Sequence, residues 1–242
     1  MQGTLDEVYR SAAVKVAAGD YATAVTDLTE SLRVDPDAGR LWELRGQAHL
    51  ALGETVEAVS CLEHATCLVP LSIEARMALG RSYELTGRKE LACQVFLTLV
   101  KVERIPFGVL EPLARALGRL GQLRAALRLC FDASERDPES PAPLLGIAFY
   151  QRRLGYPPEK LLCSLLQAFH LQPDDFDIRL TLARTLHQCR RSEEAASLLS
   201  VVDIETSMCP SCLAAMQRIF EAAGDEERAR RCMNSLVSIV QS

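Results

Sequence analysis

The chain has 242 residues, 48% of them hydrophobic and 24% charged, with a formal net charge of −5. This is the balance of an ordinary folded domain, and an acidic chain without long single-sign runs is not a general nucleic-acid binder, which needs a basic footprint to displace phosphate counterions. No stretch approaches the ~18 apolar residues of a membrane-spanning helix, and the opening MQGTLDEVYR lacks the basic and apolar segments of a secretory signal. Nine cysteines scattered through helix-like segments do not make a secreted disulfide framework. The expectation is a cytoplasmic protein with most thiols used as small buried hydrophobes.

In chain order, GDYATAV at Gly19 returns as GETVEAV at Gly53, GRKELAC at Gly87, GQLRAAL at Gly121 and GYPPEKL at Gly155. After one added residue it returns again as RRSEEAA at Arg190 and GDEERAR at Gly224. This is an internal repeat of 34 residues, and a period in that range marks a stacked-repeat architecture. The units are 5–38, 39–72, 73–106, 107–140, 141–175, 176–209 and 210–242.

The first unit supplies Ala12, Gly19, Ala24, Leu28 and Pro36. In the second, Trp42, Gly46 and His49 share one helical face, and Val59, Leu62, Ala65 and Thr66 repeat the stripe on a second helix. The third has Leu79, Gly80, Tyr83, Ala92 and Phe96; the fourth has Ala114, Ala126, Cys130 and Pro138. The fifth has Ala148, Leu165 and Pro173, with Leu161 in the alanine column, and the sixth has Ala183, Ala195 and Leu199. The seventh departs, with Gln217 in the small-residue column, then Ala229 and an expected inner stripe of Met233, Leu236, Val237 and Val240. Small residues in two columns allow two antiparallel helices to approach closely. Glycine in the turn can take the left-handed conformation that ends a helix, and proline stops the second helix. Each unit therefore reads as helix–turn–helix, and no strand-like alternation competes.

These columns resemble the tetratricopeptide repeat (TPR), most completely in Trp42, Gly46, His49, Ala58, Leu62, Ala65 and Pro70. The resemblance implies an all-α protein, a right-handed α-solenoid superhelix of helix–turn–helix repeats forming a single array over 1–242, whose first helices line a concave groove. It implies a non-catalytic scaffold or adaptor that binds other proteins. The competing helical-repeat class reads single-stranded RNA; the Gly-Ala-Pro columns and the acidic charge favour the TPR.

The resemblance places positions 2, 5, 9, 12 and 13 of each unit on the groove. Position 9 is arginine four times, Arg81, Arg115, Arg184 and Arg218, with Arg119, Arg152 and Arg153 at positions 12 and 13. Leu145, Phe149 and Leu180 lie among them, while the opposing acids in units four to six are Glu111 and Asp177. A guanidinium binds carboxylate in a bidentate fork, and an interleaved aromatic can take an apolar side chain. The expected ligand is an acidic and hydrophobic peptide segment. The plainer alternative is a solvated face with i,i+4 pairs such as Glu111–Arg115. A chaperone-tail carboxylate clamp is not expected, because Tyr9, Ala13, Leu44, Glu74 and Ala78 stand where that pattern has Lys, Asn, Asn, Lys and Arg.

The chemical lead is CPSC, Cys209 and Cys212, which reads as a redox pair, as half of a zinc site with His187 and Cys189, or, the favoured reading, as a surface disulfide or an inert pair. The sequence distance puts the two halves about one helix length apart, roughly 20 Å, against a metal. No phosphate loop, HExxH or serine elbow is present, so no catalytic residue, metal or cofactor is expected. Cys61, Cys93, Cys163 and Cys232 read as core or boundary positions of second helices, and His49 as a packing residue. The seventh hairpin, with Arg228, Arg231 and Asn234 as its polar side, is the candidate surface for a homo-oligomer.

Overall fold

Glycine or its stand-in ends the first helix of every hairpin. Gly19, Gly53, Gly87, Gly121, Gly155 and Gly224 adopt φ between 78° and 83°, and Arg190 takes the same turn at φ 61°. The following N–H reaches back five residues along the chain to cap the helix: Asp20 N donates to Lys15 O at 2.9 Å, Glu54 N to His49 O at 2.9 Å and Arg191 N to Leu186 O at 2.9 Å. The arginine turn therefore makes the glycine-type closure, at the cost of crowding a Cβ in the left-handed region.

The computed structural model describes residues 2–204 and 209–241, with side chains described within 6–204 and 209–239. Among the described residues there are fourteen α-helices and no strand. The chain divides into two compact units, 1–125 and 126–242. In the first, α1 (Gln2–Ala17) pairs with α2 (Tyr21–Val34), α3 (Gly39–Ala51) with α4 (Thr55–Leu68) and α5 (Ile73–Leu85) with α6 (Lys89–Val100), and α7 (Phe107–Arg119) follows. The second unit takes most of α8 (Leu123–Arg136), then pairs α9 (Pro141–Arg153) with α10 (Pro158–Leu171), α11 (Phe176–Gln188) with α12 (Ser192–Leu199) and α13 (Pro210–Ala222) with α14 (Glu226–Gln241). First helices also pack on first helices, α1 on α3, α3 on α5 and α5 on α7 in one unit, and α11 on α13 in the other.

The small-residue columns make these approaches. A Cβ on Gly46 would lie 2.5 Å from Leu62 Cγ, and one on Gly80 would overlap the ring of Phe96. Ala24, Ala58, Ala92, Ala126 and Ala195 are fully buried. Asp20, Ser72 and Asp175 cap α2, α5 and α11 through their side chains, and proline opens α9, α10 and α13.

Three expectations are corrected. Thr66 is exposed and turns its Oγ1 back to Glu63 O at 2.6 Å, satisfying itself locally. Cys163 is exposed, not a core or boundary thiol. In the last hairpin the inward residues of α14 are Ala229, Cys232 and Leu236, whereas Met233 and Val237 are each 48% exposed. Gln217, in the column that is glycine or alanine in the other hairpins, donates its Nε2 to Glu221 Oε1 at 2.8 Å on the surface of α13. Val240 lies outside the described side chains. Among the described residues no helix is long and apolar enough to cross a membrane.

Candidate peptide-binding face

The arginine row of the first helices divides into two kinds. In the first compact unit Arg115, near the middle of α7, lies 3.7 Å from Glu111 one turn earlier. Arg119, at the end of α7, makes a bidentate pair with Glu84 of α5 at 2.6 and 2.9 Å. The hydrogen bond from Arg119 holds the Glu84 carboxyl below its ordinary range, with Arg81 adding a smaller attraction. Arg81 itself is exposed on α5. The positive charge of this stretch is thus largely answered by acids of the same unit.

The second unit arranges its arginines differently. On α9, Phe149 is 43% exposed and its ring is approached by the guanidiniums of Arg152 at 6.0 Å and Arg153 at 5.9 Å from the centroid. Tyr150 meets the same ring edge-on at 5.1 Å, so the exposed aromatic has a fixed orientation. Leu145 is half-buried against the core. Leu180 is only 3% exposed and belongs to the core cluster of this unit; it is buried in the core instead of lining the face, and the expectation that it contacts ligand is withdrawn.

Arg184 of α11 and Arg218 of α13 come together. With His187, Gln188, Ala215 and Ile219 they line an open pocket of about 180 Å³. Arg184 Nη2 donates to the carbonyl of Ser211 at 2.9 Å, and Arg218 Nε donates to that of Ala214 at 3.1 Å. Among the described residues neither arginine forms an ion pair with a carboxylate. Both guanidiniums are therefore oriented by neutral carbonyls and keep their charge. His187, expected only as a metal candidate, is a wall of this pocket; its position one turn after Arg184 was the available signal. Its Nδ1 pairs with Ser192 Oγ at 2.9 Å.

The remaining candidates resolve as structure. His49 is buried, with Nδ1 2.6 Å from Glu54 Oε2. In the next hairpin Tyr83 takes the equivalent place, donating its hydroxyl to Glu63 Oε1 at 2.8 Å. Burial, with the Glu63 carboxylate beside it, pushes that phenol up to about 12. The Cys189 thiol is raised chiefly by desolvation and then by Glu159, whereas Cys209 and Cys212 are joined as a disulfide. Among the described residues no group of three or more His, Cys, Asp or Glu is placed to hold a metal.

Residues 9–66 match the family model of the tetratricopeptide repeat. Among solved structures, a tetratricopeptide repeat protein from Parabacteroides merdae is 18% identical, over 98% of this chain and 93% of that one, with a TM-score of 0.61. The C-terminal part of a TPR repeat-containing protein from Cytophaga hutchinsonii is 13% identical, over 95% of this chain and 94% of that one, with a TM-score of 0.75. YrrB, described as a TPR protein with an unusual peptide-binding site, is 18% identical, over 76% of this chain and 90% of that one, with a TM-score of 0.59. No curated protein matches the sequence. The structural likenesses are likenesses of fold, and they define the class as an α-helical repeat protein. Over residues 9–66 the sequence matches the tetratricopeptide repeat, and the described fold is similar to that of solved tetratricopeptide-repeat proteins.

Proposed function

We propose that the chain is a non-catalytic docking module that holds an acidic and hydrophobic peptide segment of a partner protein against the first helices of its second compact unit. The observation that carries this reading is the pocket where, among the described residues, Arg184 and Arg218 form no ion pair with a carboxylate. Two oriented guanidiniums facing one small opening favour a carboxylate or a pair of acidic side chains. Phe149, exposed between two further arginines, offers an apolar and aromatic surface on the same unit. Phosphate would satisfy the same guanidiniums, but a chain of −5 lacks the broad basic surface that gives nucleic-acid binders their affinity.

Affinity capture from cell extract with wild type and a folded Arg184→Glu/Arg218→Glu variant tests the proposal, followed by tiling each recovered protein as overlapping peptides. The expected outcome is a partner lost from the variant whose binding segment combines Asp or Glu with apolar residues. Recovery of the same proteins by both forms would overturn it.

A further inference from the structure

One motif is not used by this reading. Cys209 is the exposed N-cap residue of the 13-residue helix α13, Pro210 is its first residue and Cys212 is half-buried one turn in. The disulfide between them closes a small ring around Ser211. The carbonyl of Ser211 is the acceptor that orients Arg184, 2.9 Å away, and Arg184 is a wall of the anion-facing pocket. A covalent ring thus spans the residue whose carbonyl orients one of the two arginines.

We propose that Cys209–Cys212 is a thiol–disulfide exchange site that accepts electrons from a dithiol, and that its state sets the Arg184 guanidinium and so the anion affinity of the pocket. The last clause rests on the docking function proposed above. In the exchange, the thiolate of the dithiol attacks the exposed sulfur of Cys209. The S–S bond breaks, its electron pair departs on the Cys212 sulfur, and that sulfur takes the proton of the dithiol's second thiol. The thiolate so formed closes on its own half of the mixed disulfide and expels Cys209 as a thiolate. The dithiol leaves oxidised to a cyclic disulfide, and the protein holds one thiol and one thiolate. Cys209 suits the role of released thiolate, because it sits at the amino end of α13, where the helix dipole favours negative charge. Opening the ring frees the first turn of α13, so the Ser211 carbonyl no longer holds Arg184 in place. Binding an acidic group must then order the arginine again, which weakens it.

Three measurements on the whole chain test this. After incubation with dithiothreitol under native conditions, alkylation and mass spectrometry should place labels on Cys209 and Cys212 only in the reduced sample, while exposed Cys67 and Cys163 are labelled in both. A pair that is labelled without reductant, or that resists the dithiol, overturns the exchange site. The guanidinium NMR signals of Arg184, assigned with Arg184→Lys, should move on reduction while those of Arg218 stay. A Cys209→Ser/Cys212→Ser variant should show the reduced pattern in either condition. Unchanged Arg184 signals would overturn the coupling. A fluorescein-labelled peptide of alternating Glu and Leu should bind the oxidised form about tenfold more tightly, the worth of one charge-assisted hydrogen bond. Equal affinity in both states would overturn control of the pocket. Binding to neither state would remove the docking proposal, leaving the exchange site and the Arg184 coupling to be decided by the first two measurements.

Discussion

Arg119 in the first compact unit and Arg184 in the second both project from first helices of the repeat, yet they have opposite fates. Arg119 is clasped by Glu84 in a bidentate pair, whereas Arg184 leans on the uncharged carbonyl of Ser211. A count of groove charges along the sequence treats them alike. The structure separates charge already spent within the fold from charge left to face a ligand, and only the latter can add to binding. The first unit's row works as an internal brace and the second unit's row as a candidate receptor.

Charge reversal is the strongest way to break this comparison. Arg184→Glu with Arg218→Glu should weaken an acidic peptide about a hundredfold or more, since each lost charge-assisted bond is worth roughly 1.5–3 kcal/mol. Arg115→Glu should change it by no more than about threefold. Fluorescence anisotropy titration of the Glu-Leu peptide reads both, and equal losses from the two units would erase the distinction.

The next test asks whether close helix packing holds the first unit's brace in position. Gly80→Ala places a methyl group against the fully buried ring of Phe96, an overpacking expected to cost about 1–3 kcal/mol in denaturant unfolding. A neutral result would mean that α5 and α6 can separate freely, and the column of small residues would lose its explanation.

A smaller effect belongs to the brace itself. Removing Arg119 in a double-mutant cycle with Glu84→Gln should give a coupling of about 0.5–1 kcal/mol at neutral pH, because Arg119 is half exposed. Since the Glu84 carboxyl is held below its ordinary value in the fold, its contribution is present above the unfolded carboxyl's range and is lost as pH falls through the lowered folded value. The coupling should therefore fade in acid, and a coupling that grows in acid would contradict the pairing.

The smallest expected change has the opposite sign. Arg190 holds a left-handed turn that glycine holds in six other hairpins, so Arg190→Gly should stabilise the chain by about 0.5–1 kcal/mol, relief of the Cβ crowding outweighing the extra chain entropy. Thermal unfolding reads it, and a loss of stability would show that the arginine makes a compensating contact.

The backbone of this account was legible because turns and crossings restrict residue type. A left-handed turn asks for glycine, a helix crossing asks for alanine or glycine, and both recur at a fixed step. The brace was within reach: Glu84 and Arg119 stand at positions 12 and 13 of neighbouring units, 35 residues apart, but pairing across units is invisible when each is read singly. The Arg184–Ser211 contact was not legible, because a backbone carbonyl is present at every residue and leaves no mark in sequence. Leu180 misled for a different reason. Leucine serves a groove and a core equally well, and only its burial in the fold decides between them. Met233 stands in a column that is buried in most other hairpins, yet it is 48% exposed.

The central claim is that Arg184 and Arg218, which form no ion pair among the described residues, select acidic, apolar segments. Selection from a random peptide display library on the immobilised chain, run in parallel with the Arg184→Glu/Arg218→Glu variant, tests it most directly. The account predicts that wild type enriches peptides combining Asp or Glu with Leu, Phe or Trp, and that the variant loses them. Enrichment of neutral or basic peptides, or the same peptides from both forms, would contradict it.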